Sequence, residues 1–222
     1  MTTIKQRWTE IDNLIAENKT ELKGYSSHKD LNAFAEKHSL MTKEDFPKFK
    51  HCLLKIGVRY DALRAAANEK FEASLEAKAK ELDNITDVPV VCLWSAAAED
   101  DGAAAFAVVD VDDTPVWYGR FFDDDRIRIA GDLVSAEQSA ADKAVWLAHK
   151  ALEAAGKTQG RVLITTTCPE LDIAALRITG ARFNIGVDVH VDDADMRAVD
   201  MAEAPGYKKW QDNDLAALVE AD

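Results

Sequence analysis

Apolar residues recur at helical spacing through the first third of the chain. In IKQRWTEIDNLIAEN, the residues Ile4, Trp8, Ile11, Leu14 and Ile15 fall three and four apart, which predicts a first helix. After a break at GYSS, HKDLNAFAEKHSL predicts a second, with Ser26 or Ser27 placed to cap it, and TKEDF opens a third. From Phe46 onward Leu53, Leu54, Val58, Leu63, Phe71 and Leu75 continue the period, as a long helix or a kinked pair with Gly57 as the weak point.

At NITDVP the period changes. PVVCLWSAAA and AAAFAVVDV are short runs of β-formers separated by EDDG, and DDTP leads into VWYGRFF, so three strands in an antiparallel meander are expected. SAEQSAADKAVWLAHKALEAAG reads as a helix, with Ser135 and Gln138 as a capping box and Gly156 as its stop. RVLITTT is a strand, PELDIAALRITG a helix, RFNIGVDVHV a strand and DDADMRAVDMAEA a helix, and the tail adds a turn or two more. The expected fold class is α/β: a mixed sheet in the order β-β-β-α-β-α-β-α over 85–222, preceded by an all-α helical module over 1–84.

Composition sharpens this division. With 222 residues and 47% hydrophobic content the chain can fill a core. Of 27 basic and 40 acidic residues, 15 and 14 lie within 1–84, leaving 12 and 26 for the remainder, so the segments carry net +1 and −14. An acidic module of that kind repels phosphate unless metal ions or a basic partner intervene. No run is apolar enough to span a bilayer, and the opening MTTIKQRWTEIDN shows no charged segment followed by an apolar one, so a cytoplasmic setting without membrane association is expected. Cys52, Cys92 and Cys168 lack metal spacing and read as buried thiols. Trp8 and Trp146 read as core, and Trp94 and Trp117, on neighbouring strands, as either core or an exposed stacking platform.

The order of elements from residue 88, with AE opening the long helix and HVDDAD before the last one, resembles the ribonuclease H fold. That resemblance implies catalytic and metal-binding roles for Glu137 and Asp195, a further catalytic role for His190, and Mg²⁺ or Mn²⁺ as cofactor if the chain is an enzyme. Two-metal chemistry needs a carboxylate cluster. The resemblance places two more carboxylates where this chain has Leu93, Trp94 and Ser95 on the first strand and Thr166 and Thr167 on the fourth. Neutral hydroxyls are poor ligands for hard divalent ions, and only Glu99, Asp100 and Asp101 of the first hairpin turn could substitute. A degenerate site follows, with no cofactor and with function by binding nucleic acid or a nucleic-acid-processing protein. Lys43, Lys48, Lys50 and Lys55 would form the contact surface.

A competing motif is AVVDVDDT, which resembles the nucleophile loop of haloacid dehalogenase-like phosphatases, with Asp110 as nucleophile and Asp112 as general acid. Against it, the interval from Thr167 to Asp192 contains no lysine and a strand follows where a crossover helix is needed. The alternation reading instead puts Asp110 and Asp112 on one strand face with Val109 and Val111 packed on the other. Asp113 and Asp123 to Asp125 would then be solvated turns. A third reading is a structural protein that forms homo-oligomers through the apolar stripe of the long helix.

Overall fold

The computed structural model describes residues 4–100 and 103–220. The protein is mixed α/β, with eight α-helices and a five-stranded mixed sheet among the described residues. It divides into two compact units, Met1–Ser74 and Leu75–Asp222.

The first unit contains α1 (Ile4–Glu17), α2 (Lys19–Gly24), α3 (His28–Lys37), α4 (Asp45–Lys55) and the start of α5 (Tyr60–Leu82). Ser27 caps α3 by accepting the Lys29 amide. The stretch from Phe46 is two helices: α4 ends before Gly57, whose φ of +87° is open to glycine without strain. Ile11, Ile15, Leu31, Phe34, Phe49 and Leu53 form the core. Trp8 departs from expectation. It is 45% exposed, with the Lys48 Nζ 5.7 Å from its ring, because the buried stripe of α1 is narrowed to Ile11 and Ile15.

The second unit is built on β1 (Val90–Asp100), β2 (Ala103–Val109), β3 (Pro115–Arg120), β4 (Gly160–Thr166) and β5 (Ile185–Val191), ordered β3-β2-β1-β4-β5. β1 is antiparallel to β2 and parallel to β4, while β2–β3 is antiparallel and β4–β5 parallel. The helices are α6 (Leu133–Ala154), α7 (Ile173–Phe183) and α8 (Arg197–Glu203).

Both faces of β1 are covered, which is why its sequence is an unbroken apolar run rather than an alternating one. On one face Val91, Leu93 and Ala97 meet α6, whose Ala136, Ala140, Ala141, Ala144, Ala148 and Ala151 are buried and let helix and sheet approach closely. On the other, Ala96 and Ala107 pack with Ala198 and Ala202 of α8.

The α6 cap differs from the expected capping box. Asp132 accepts the Ser135 amide at 3.3 Å, and Ser135 instead accepts the Ile129 amide at 2.7 Å. Cys52 and Cys168 are buried, but Cys92 is half-buried, with its Sγ 3.2 Å from Glu220 Oε1. Trp146 is likewise half-buried, edge-on to Trp210.

In α5, Leu75, Ala79 and Leu82 are buried with Ala181, whereas Phe71 of the same apolar stripe is exposed. Gly180 on α7 sits where a Cβ would lie 2.5 Å from both Ile185 O and Val187 Cγ2. Since one of these is backbone, Gly180→Ala is expected to destabilise the protein by about 1–3 kcal/mol despite alanine's better helix propensity. A lowered urea midpoint with an unchanged m-value checks this.

Candidate functional site

β1 is longer than its parallel neighbour. Its pairing with β4 stops at Trp94↔Thr165, whereas its pairing with β2 continues to Asp100↔Ala103. Past Trp94, therefore, β1 has no backbone partner on the β4 side among the described residues. Glu137 reaches this fork from the second turn of α6.

Glu137 is 5% exposed. It accepts the backbone N–H of Ala97, while its Oε2 has no hydrogen-bond partner among the described residues. Burial pushes its carboxyl up to about 7, against the smaller opposing pull of the Ala97 amide. Side chains alternate along a strand, so Ser95 points to the same α6 side as Ala97. Ser95 is 1% exposed, and its Oγ is also unpartnered. At the end of β4, Thr165 and Thr166 are buried, and Thr166 Oγ1 accepts the Cys168 amide at 3.2 Å.

The other expected site residues do not join Glu137. Asp195 accepts Trp94 Nε1–H at 2.8 Å and Arg197 Nε–H at 2.9 Å. Arg197 holds its carboxyl below the usual carboxylate range. Arg197 also lies over the Trp94 ring at 4.3 Å and pairs with Asp113 at 2.7 Å, so Asp195 belongs to a surface cluster on the α8 side of β1. His190 is exposed on β5, opposite Thr165 in register. Glu99 accepts the Gly131 amide at 2.6 Å and lies 3.8 Å from Arg128. Asp101 and the side chain of Asp100 lie outside the described residues.

Among the described residues no three His, Cys, Asp or Glu side chains are grouped to hold a metal ion. One buried carboxylate beside neutral hydroxyls does not fit a pair of Mg²⁺ or Mn²⁺ ions, which call for several hard anionic oxygens. What the arrangement can do is exchange a proton near neutral pH, or offer a hydrogen-bonding oxygen to something entering the fork. A cavity of about 810 Å³ reaches Glu137 and the end of β1 at Ala97, Ala98 and Glu99, and extends from there across β2 and β3 at Ala104 and Arg120.

Asp110 and Asp112 do not share a strand face. β2 ends at Val109, and Asp110 Oδ1 accepts the amides of Asp112 and Thr114 at 3.0 and 2.9 Å, an Asx turn that closes the hairpin. Val111 is exposed rather than packed. With β2 antiparallel on both sides, the strand-to-crossover-helix geometry of a phosphatase nucleophile loop is absent at this position.

Asp125 is more than a solvated turn. It accepts from Ser139 Oγ, Lys143 Nζ and the amides of Ile127 and Arg128. Burial raises its carboxyl, but Lys143 and these amides outweigh that and bring it down to about 2.

In the first unit the proposed basic surface is largely neutralised. Lys48 and Lys55 both reach Asp12, at 2.5 and 3.3 Å, and Lys50 pairs with Asp61 at 2.9 Å. Lys43 alone of the four stays exposed without a partner among the described residues.

The Ser95 hydroxyl, the Asp132 cap and the Trp94–Asp195–Arg197 cluster were not legible beforehand; the nearest signal was the absence of a carboxylate on the first strand. Comparison with known protein families, curated proteins and solved structures finds nothing that matches this chain.

Proposed function

We propose that this protein is a non-catalytic, ribonuclease H-like protein that acts by binding, and that its partner is a protein rather than a nucleic acid. The observation that carries the reading is Glu137: a buried carboxyl that no group of three metal-ligating side chains includes among the described residues, where metal-dependent hydrolysis would need a cluster of anions. The sheet order β3-β2-β1-β4-β5 and the approach of α6 to the fork support the fold assignment. The net −14 of residues 85–222 and the internal pairing of Lys48, Lys50 and Lys55 argue against a phosphate-binding face.

Calorimetric titration with Mg²⁺ and Mn²⁺ tests this. No saturable site is expected at submillimolar concentration, and no hydrolysis of RNA or DNA in either ion. Saturable heat that disappears in Glu137→Gln would overturn the reading in favour of a divergent metal-dependent hydrolase.

A further inference from the structure

A strand edge that ends its pairing early is a template for another strand, and proteins ordinarily guard such edges with lysine, proline or a bulge. The segment Ser95-Ala96-Ala97-Ala98-Glu99 carries none of these guards. Residues of one parity face each neighbour of a strand. Pro89 O accepts the Arg161 amide on the β4 side, while Val90 O accepts the Glu220 amide on the other, so the backbone groups of the odd positions face β4. Past Trp94 this presents the carbonyl of Ala97 and both backbone groups of Glu99 to the cavity. The Ala97 amide is already held by the Glu137 carboxyl, so an added strand would pair through the Ala97 carbonyl and the backbone groups of Glu99.

The walls suit an extended chain. α6 and α8 flank the two faces of the sheet, and the methyl groups of Ala97 and Ala98 leave room for a backbone between them. Three carboxyl groups, Glu99, Glu137 and Glu203, line the cavity with Arg120, and Glu99 is already turned to Arg128 and the Gly131 amide. Glu137 Oε2 is a buried acceptor without a hydrogen-bond partner among the described residues.

We propose that the free edge of β1 between Ser95 and Glu99 takes an extended segment of a partner protein as an added strand, with a lysine or arginine of that segment meeting the Glu137 carboxyl. Main-chain bonds would supply affinity and the cation specificity. This assignment rests on the binding reading above and names its partner.

The test uses the full chain and the peptide acetyl-Thr-Val-Lys-Val-Thr-Val-amide, with two controls: the same peptide N-methylated at its four central residues, and the peptide with glutamate for lysine. Hydrogen exchange of the Glu99 amide is expected to slow about tenfold at saturation, and N-methylation to weaken binding about tenfold or more, as lost main-chain hydrogen bonds require. Replacing the lysine, or Glu137→Gln, weakens it by a smaller factor.

Equal binding of the N-methylated peptide, protection elsewhere than β1, or no binding at about 1 mM peptide overturns the proposal. So does Glu99 protection that rises with protein concentration alone, which would mark a second copy as the occupant, and so does displacement of the peptide by a single-stranded RNA. Failure of the peptide with no metal site sinks this inference alone. A saturable Mg²⁺ site at Glu137 sinks the non-catalytic reading whatever the peptide does.

Discussion

Glu137→Gln is expected to remove about 3 kcal/mol of pH dependence from the stability of this protein. In the folded chain the carboxyl is raised from 4.5 to about 7 by burial, so between those values the native state holds a proton that the unfolded state has released. The sign follows: this contribution is fully present below about pH 4.5 and is lost as pH rises through about 7. Glutamine keeps an acceptor for the Ala97 amide but cannot ionise. Urea unfolding of both proteins from pH 4 to 8 should therefore show the variant gaining on the wild type steadily across that interval.

Asp125 does not confuse the comparison. Its carboxyl is depressed to about 2, so its contribution is present above 3.8 and lost only as pH falls below that. A difference between the two proteins that stays constant with pH would mean that Glu137 titrates in the fold as it does in the unfolded chain.

Phe49→Ala is expected to cost about 3–5 kcal/mol. Phe49 is fully buried in the first unit, stacked 6.1 Å from Phe34 and tilted against Phe46 at 6.0 Å. Truncation loses the transfer energy of the ring and leaves a cavity between helices that are already short. Against a typical stability of about 5–15 kcal/mol for a domain, that is a large fraction, and thermal unfolding followed by far-ultraviolet circular dichroism should show helix lost at markedly lower temperature. Phe49→Leu, which keeps most of the volume, should recover more than half of the loss.

The elements were legible where one periodicity had no rival. α6 could be read from its alanine and leucine spacing, and β1 to β3 from β-formers broken by EDDG and DDTP. The failures fall where two local rules competed. Asp132 and Ser135 are both good capping residues three apart, and only the structure shows that the first caps α6 while the second ties back to Ile129. Alternation predicted a polar strand face for Asp110 and Asp112, but Asp110 could also close a turn with its own side chain, and the turn won.

Long-range pairing was not readable at all. Asp12 meets Lys48 and Lys55 from some forty residues away, and no spacing rule connects them. The same holds for the site. The sequence placed Glu137 at the start of α6, but its burial depends on β1 outrunning β4, a difference in strand length fixed by where β4 stops pairing. That difference also creates the free edge, so the proton held by Glu137 and the strand-binding proposal arise from one feature of the sheet.

Glu137 is proposed to hold a proton near neutral pH without binding a metal ion. The most direct test is a ¹³C NMR titration of the Glu137 carboxyl in the full chain, with and without Mg²⁺. A midpoint near 7 that Mg²⁺ leaves in place is expected. A midpoint at or below 4.5, or one that Mg²⁺ drives down, would contradict this.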